Sequence, residues 1–86
     1  MVNYILDGSK MTSRDEAHEE IRRAFQLSED YGRNLDALWD TVSVMDAEVI
    51  FENIGCMKAA LGVYAEKILD VFKEAAQKNP GFRFRT

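Results

Sequence analysis

Tyr31-Gly32-Arg33-Asn34-Leu35-Asp36-Ala37-Leu38-Trp39-Asp40 reads as a turn that becomes a short helix. Asn34 is a good N-cap, because its side-chain oxygen can accept from an unpartnered N–H of the first turn. The helix is predicted from Leu35 to about Ser43. Leu35, Leu38, Trp39 and Val42 fall at helical spacing and form an apolar stripe. Asp36, Asp40 and Ser43 recur every three or four residues on a different side. Two aspartates four apart repel each other by roughly a few tenths of a kcal/mol. Asp36 regains part of that near the positive end of the helix dipole, but Asp40 lies a turn further on and regains little. A local cost without a local benefit points to a partner that supplies the benefit.

On the N-terminal side, Val2 to Leu6 is a predicted strand ending at Asp7-Gly8. Tyr4 and Ile5 fall on opposite faces of it, so both faces are expected to be covered. Ser13 followed by Glu16 is a capping-box pattern, and opens a helix with Ala17, Ile21, Ala24 and Phe25 inward. Glu19, Glu20, Arg22 and Arg23 are expected to face water, with the helix ending near Gln26 or Leu27. Gly32 in the following loop can adopt positive φ or admit a close approach.

On the C-terminal side, Val49 to Ile54 is a second predicted strand, with Gly55 as its breaker. Two helices separate the strands, enough for a crossover, so the pair is expected to be parallel. Met57 to Leu61 is a short helix and Gly62 a joint. A long helix then runs from Val63 or Tyr64 to Gln77, with Ile68, Leu69, Phe72 and Ala76 inward. Asn79-Pro80-Gly81 ends it. Phe82-Arg83-Phe84-Arg85 alternates as a third strand, its arginines on the less buried face. The order β-α-α-β-α-α-β makes an α/β fold, a small three-stranded parallel sheet packed with about four helices, in a single domain over 1–86.

The totals narrow the function. A chain of 86 residues buries about 60% of its unfolded surface. Eleven Lys and Arg against 15 Asp and Glu give a net charge of −4. Nucleic-acid binding needs a basic patch, so this balance points instead to cationic partners or none. Cys56, the lone cysteine, makes neither an internal disulfide nor a cysteine-based zinc site. There is no signal-peptide pattern and no run of about 18 apolar residues to span a membrane. The expected compartment is the cytoplasm, and no cofactor is expected.

Several residues invite chemical readings. His18, the single histidine, reads as a surface or boundary residue. Cys56 reads as a buried, inert thiol. Trp39 is either a core anchor or an interface anchor. Glu29, Asp30, Asp36 and Asp40 surround one cation, Arg33. They read as a solvated acidic face, as a partner surface, or, with Glu74, as a carboxylate hydrolase or divalent-metal site. No EF-hand loop, phosphate-cradling glycine loop, Ser-His-Asp set or Cys-His set is present.

The pattern Tyr-Gly-x-Asn-Leu-Asp-Ala-Leu-Trp-Asp at 31–40 resembles the signature of the barstar family, intracellular inhibitors of barnase-type ribonucleases. Ile68-Leu69-Asp70-Val71-Phe72-Lys73-Glu74-Ala75 resembles the family's last helix, and the two segments are expected to pack side by side. The resemblance implies a barstar-like fold and a one-to-one complex between a monomer and a small basic ribonuclease. It implies that Asp40 mimics an RNA phosphate in the enzyme's active site and that Asp36 flanks it. It also implies that Gly32, Asn34 and Leu35 line the contact, with Tyr31 in the same loop. Trp39 would pack at the edge, Ser43 would occupy a contact position held by threonine in the best-known member, and Glu74 would add a peripheral charge pair. Asp30 stands where the best-known member has a contacting tyrosine, Arg33 where it has glutamate, and the segment from Ser43 to Gly62 is shorter.

Overall fold

The computed structural model describes residues 2–86. The elements are β1 (Val2–Asp7), a 3-10 turn at Gly8–Lys10, α1 (Arg14–Ala24), α2 (Leu35–Val42), β2 (Ala47–Glu52), α3 (Ile54–Leu61), α4 (Val63–Lys78) and β3 (Phe82–Arg85). The strands form one sheet in the order β1-β2-β3, and both pairs are parallel. This is the expected α/β architecture, three parallel strands with four helices.

Helix starts follow local chemistry. The hydroxyl of Ser13 accepts from the Glu16 N–H at 3.1 Å, as the capping-box spacing predicts. Gly62, at φ 58, is the joint between α3 and α4. Gly55 does not break structure: it lies in the first turn of α3, which begins at Ile54. The second strand accordingly starts and stops two residues earlier than predicted.

Register shows which face matters. Tyr4, Leu6, Val49, Phe51, Phe82 and Phe84 share the face against which the helices pack. α1 lies over β1, α4 over β3, and α2 against α4. Phe72 of α4 is fully buried, edge-on to Phe51 at 5.8 Å and stacked on Phe82 at 6.0 Å between ring centroids. Burying one such ring contributes about 3 kcal/mol at most. The opposite face carries Asn3, Ile5, Glu48, Ile50, Arg83 and Arg85, and Ile5 is 55% exposed. The expectation that both faces are covered is therefore corrected: helices cover one face only. A short apolar strand does not by itself distinguish two buried faces from one.

The C-terminal ends of β1 and β2 are clamped together. Asp7 Oδ1 accepts from the Ser9 N–H at 2.9 Å, the Ser9 hydroxyl at 2.7 Å and Asn53 Nδ2 at 2.9 Å. These bonds, Ser9's first, hold the Asp7 carboxyl down to about 2. Gly8 packs so closely on the Asn53 backbone that an added Cβ would lie 2.9 Å from the carbonyl carbon. Glu20, expected in water, is buried: its Oε2 accepts from the Asp7 N–H at 3.1 Å, and its other oxygen pairs with Arg23. A buried carboxylate requires such partners.

Candidate functional site

Asn34 opens α2 as its sequence position predicts. Its Oδ1 accepts from the Ala37 N–H at 2.7 Å, and its Nδ2 donates to the Gly32 carbonyl at 3.3 Å. The positive φ of the approach falls on Arg33, at 54°, not on Gly32. The close neighbours of Gly32 are the chain's own: an added Cβ would come within 3.1 Å of Ala37 Cβ. At the other end, the Ser43 N–H caps α2 by donating to the Trp39 carbonyl at 2.9 Å.

The two faces of α2 separate as expected. Leu38 and Val42 are fully buried, while Leu35 and Trp39 are half-buried against the core. Asp36 and Asp40 are exposed. Among the described residues neither forms an ion pair. Among the described residues no side-chain cation sits within ion-pair distance to offset their mutual repulsion.

α2 and α4, the two segments expected to be neighbours, pack together. Lys78 of α4 places Nζ 5.6 Å from the centre of the Trp39 ring, within cation–π range. Trp39 therefore has one side on the core and another beneath a surface cation. Glu74 is exposed one turn before Lys78, on the same side of α4. Asn79 Nδ2 donates to the Met45 carbonyl at 2.9 Å, tying the end of α4 to the chain that leaves α2.

The approach loop is attached to α1. Tyr31 is half-buried, and its hydroxyl lies 2.9 Å from His18 Nδ1. His18 Nε2 meets the Tyr64 hydroxyl at 2.7 Å. His18 is 1% exposed, so the surface reading of this histidine is corrected: the two tyrosines from distant segments supply the polar partners that let the ring be buried. Burial pushes the Tyr31 phenol well above its ordinary range and lowers the His18 imidazole. Asp30 is exposed and takes no part in this attachment beyond its N–H bond to Ser28 Oγ at 3.2 Å.

Arg33 does not neutralise the aspartates of α2. Its Nη2 lies 2.8 Å from Glu19 Oε2 and 3.7 Å from Glu29 Oε2. Arg22 holds the other Glu19 oxygen at 2.8 Å. Hydrogen bonds from Arg22 and then Arg33 hold the Glu19 carboxyl down to about 2. Sequence reasoning missed Glu19 as a neighbour of this loop; it lies fourteen residues from Arg33, and no spacing rule links them.

Cys56 is exposed on α3, which corrects the buried-thiol reading. Among the described residues, no group of three or more His, Cys, Asp or Glu side chains is placed to hold a metal ion. Nor, among those residues, is any helix long and apolar enough to cross a membrane.

The fold and this surface define an α/β protein that displays a capped helix bearing two exposed carboxylates without an ion-pair partner among the described residues. A family model described as "Barstar (barnase inhibitor)" matches residues 1–86, and the chain belongs to the barstar family. It is also 30% identical over 81 residues to a Bacillus subtilis (strain 168) protein named "Putative ribonuclease inhibitor YrdF". That match covers 91% of this chain and 89% of the relative.

Proposed function

We propose that this protein is a non-catalytic, cytoplasmic inhibitor that binds a small basic barnase-type ribonuclease one-to-one and plugs its active site. Asp40 is the phosphate mimic, aimed at the arginines of an RNA-binding cleft, and Asp36 flanks it. Gly32, Asn34 and Leu35 line the contact, Trp39 packs at its edge, and Tyr31, Asp30, Ser43 and Glu74 lie around it. The observation that carries this reading is the charge state of α2: Asp36 and Asp40 are exposed and unpaired, while nearby Glu19 and Glu29 are matched by Arg22 and Arg33.

Carboxylates held on a capped helix lose little freedom when they accept charge-assisted bonds from arginine. An anionic surface facing a cationic cleft also speeds encounter. The repulsion between Asp36 and Asp40 is then repaid in the complex. Asp36, Asp40 and Glu74 do not form a group placed to hold a metal ion among the described residues, which gives the metal version of an enzyme reading no support.

Titration against barnase tests the proposal. The parent should inhibit saturably at one-to-one stoichiometry. Asp40→Ala should weaken the complex most, by about 2–5 kcal/mol, a general scale for which barnase and barstar are themselves the reference case. Asp36→Ala should come next. Binding by both variants equal to the parent would remove the assignment. Asp30 favours a second reading, an interaction module for a different cationic protein, because it replaces an aromatic contact of the family's best-known member with a charge. Recovery of a cationic non-nuclease partner in place of a ribonuclease would select that reading.

A further inference from the structure

Arg33 is the one cation between Glu29 and Asp40, yet α1 holds its guanidinium. Its backbone lies at φ 54, a region that residues with a side chain seldom adopt. Glu19 is itself oriented: Arg22 approaches Oε1 through Nη2 at 2.8 Å and Oε2 through Nε at 3.1 Å, while Arg33 takes Oε2 at 2.8 Å. With Glu29, the group has two positive and two negative charges and sums to zero.

Chain geometry makes this placement consequential. Arg33 and Asp36 are three residues apart, so their Cα atoms are separated by at most about 11 Å. A guanidinium released from Glu19 could come within about one Debye length of Asp36. It could then pair with the acidic helix or repel an incoming cationic surface. Either outcome reduces the field that attracts the partner.

We propose that Glu19 is a positioning residue for partner binding: by clamping Arg33 to α1, it keeps the Asp36–Asp40 surface uncompensated and open to a cationic protein. This rests on the inhibitor reading above. Glu19 has this effect without touching the partner, and the charge it controls is Arg33.

Four variants separate this role from a merely structural one. With barnase as the probe, Glu19→Gln slows association and weakens binding about three- to tenfold, the scale of one charge close to an interface. Glu19→Gln/Arg33→Gln restores the parent value, because the released cation is gone. Arg33→Gln alone binds at least as fast as the parent. Glu48→Gln, which removes the same charge from the uncovered face of the sheet, has a smaller effect than Glu19→Gln. The proposal is overturned if the double variant stays as slow as Glu19→Gln, or if Glu48→Gln slows association equally.

A second measurement needs no partner. Arginine side-chain ¹⁵N NMR of the free protein should show a held Arg33 guanidinium in the parent and a faster-rotating one in Glu19→Gln. Failure of the parent to bind barnase would sink the inhibitor reading and leave the NMR result to decide the clamp. An Arg33 signal unchanged by Glu19→Gln would overturn the clamp whatever barnase does.

Discussion

His18 Nδ1 lies 2.9 Å from the Tyr31 hydroxyl, joining the buried side of α1 to the loop that leads into α2. The other ring nitrogen meets Tyr64 at 2.7 Å, so one imidazole links α1, the approach loop and the start of α4. In a neutral ring one nitrogen donates and the other accepts; one tyrosine therefore gives its proton to the bond and the other receives one. The Arg14 guanidinium lies over the Tyr64 ring, 4.5 Å from its centre.

His18→Leu should leave both hydroxyls without this partner and cost about 1–3 kcal/mol. The urea midpoint should fall, and His18→Gln should recover part of the loss through one retained bond. An unchanged midpoint in His18→Leu would show that water replaces the ring at no cost.

Stability should fall with pH in two stages. Burial lowers the His18 imidazole below its ordinary 6.5, with Asp15 opposing that shift and Arg33 adding to it. The unfolded chain therefore takes up this proton first, so stability is complete above 6.5 and declines as pH falls toward the folded value. Asp7 and Glu19 fall from 3.8 and 4.5 to about 2, so their contributions are present above those ordinary values and are lost as pH drops toward 2. Denaturant midpoints from pH 8 to 2 would resolve the stages. The upper one should vanish in His18→Leu, since the chain has no other histidine.

Asn34→Ala should remove the α2 cap and cost about 1 kcal/mol. Asn34→Asp should retain most of the stability, because a carboxylate caps as well and favours the positive end of the helix. Comparing the two by thermal melts and by barnase titration separates the helix start from the contact surface. If the two variants melted alike, the Oδ1 bond would not be what holds α2.

Two glycines should respond unequally to alanine. At Gly8 the new methyl meets the Asn53 backbone, which neither clamped strand end can easily yield. That substitution should cost about 3 kcal/mol. At Gly62 nothing lies within 4 Å, and only the φ of +58 penalises a side chain. The cost there should be about 1 kcal/mol. Chemical denaturation of the two variants gives the ranking directly.

Local chemistry made much of the fold legible in the amino-acid sequence. Ser13 and Asn34 cap their helices through bonds spanning three residues, and the apolar stripe of α2 repeats within two turns. Two helices between β1 and β2 were enough to predict a parallel pair. Asp36 and Asp40 stood out because their repulsion is itself local. Tertiary structure alone decided the rest. Glu20 and His18 are polar, and nothing nearby in sequence announces the Asp7 N–H, Tyr31 or Tyr64 that allow them to be buried. Ile5 is exposed because the helices cover only the other face of the sheet, and Cys56 is exposed on α3, whose buried residue is Met57. Arg33 stood among acids along the chain, but its partner Glu19 is fourteen residues away. Bonds at fixed short spacing are written in the order of residues, whereas the partner of a long polar side chain depends on which element the fold brings alongside it.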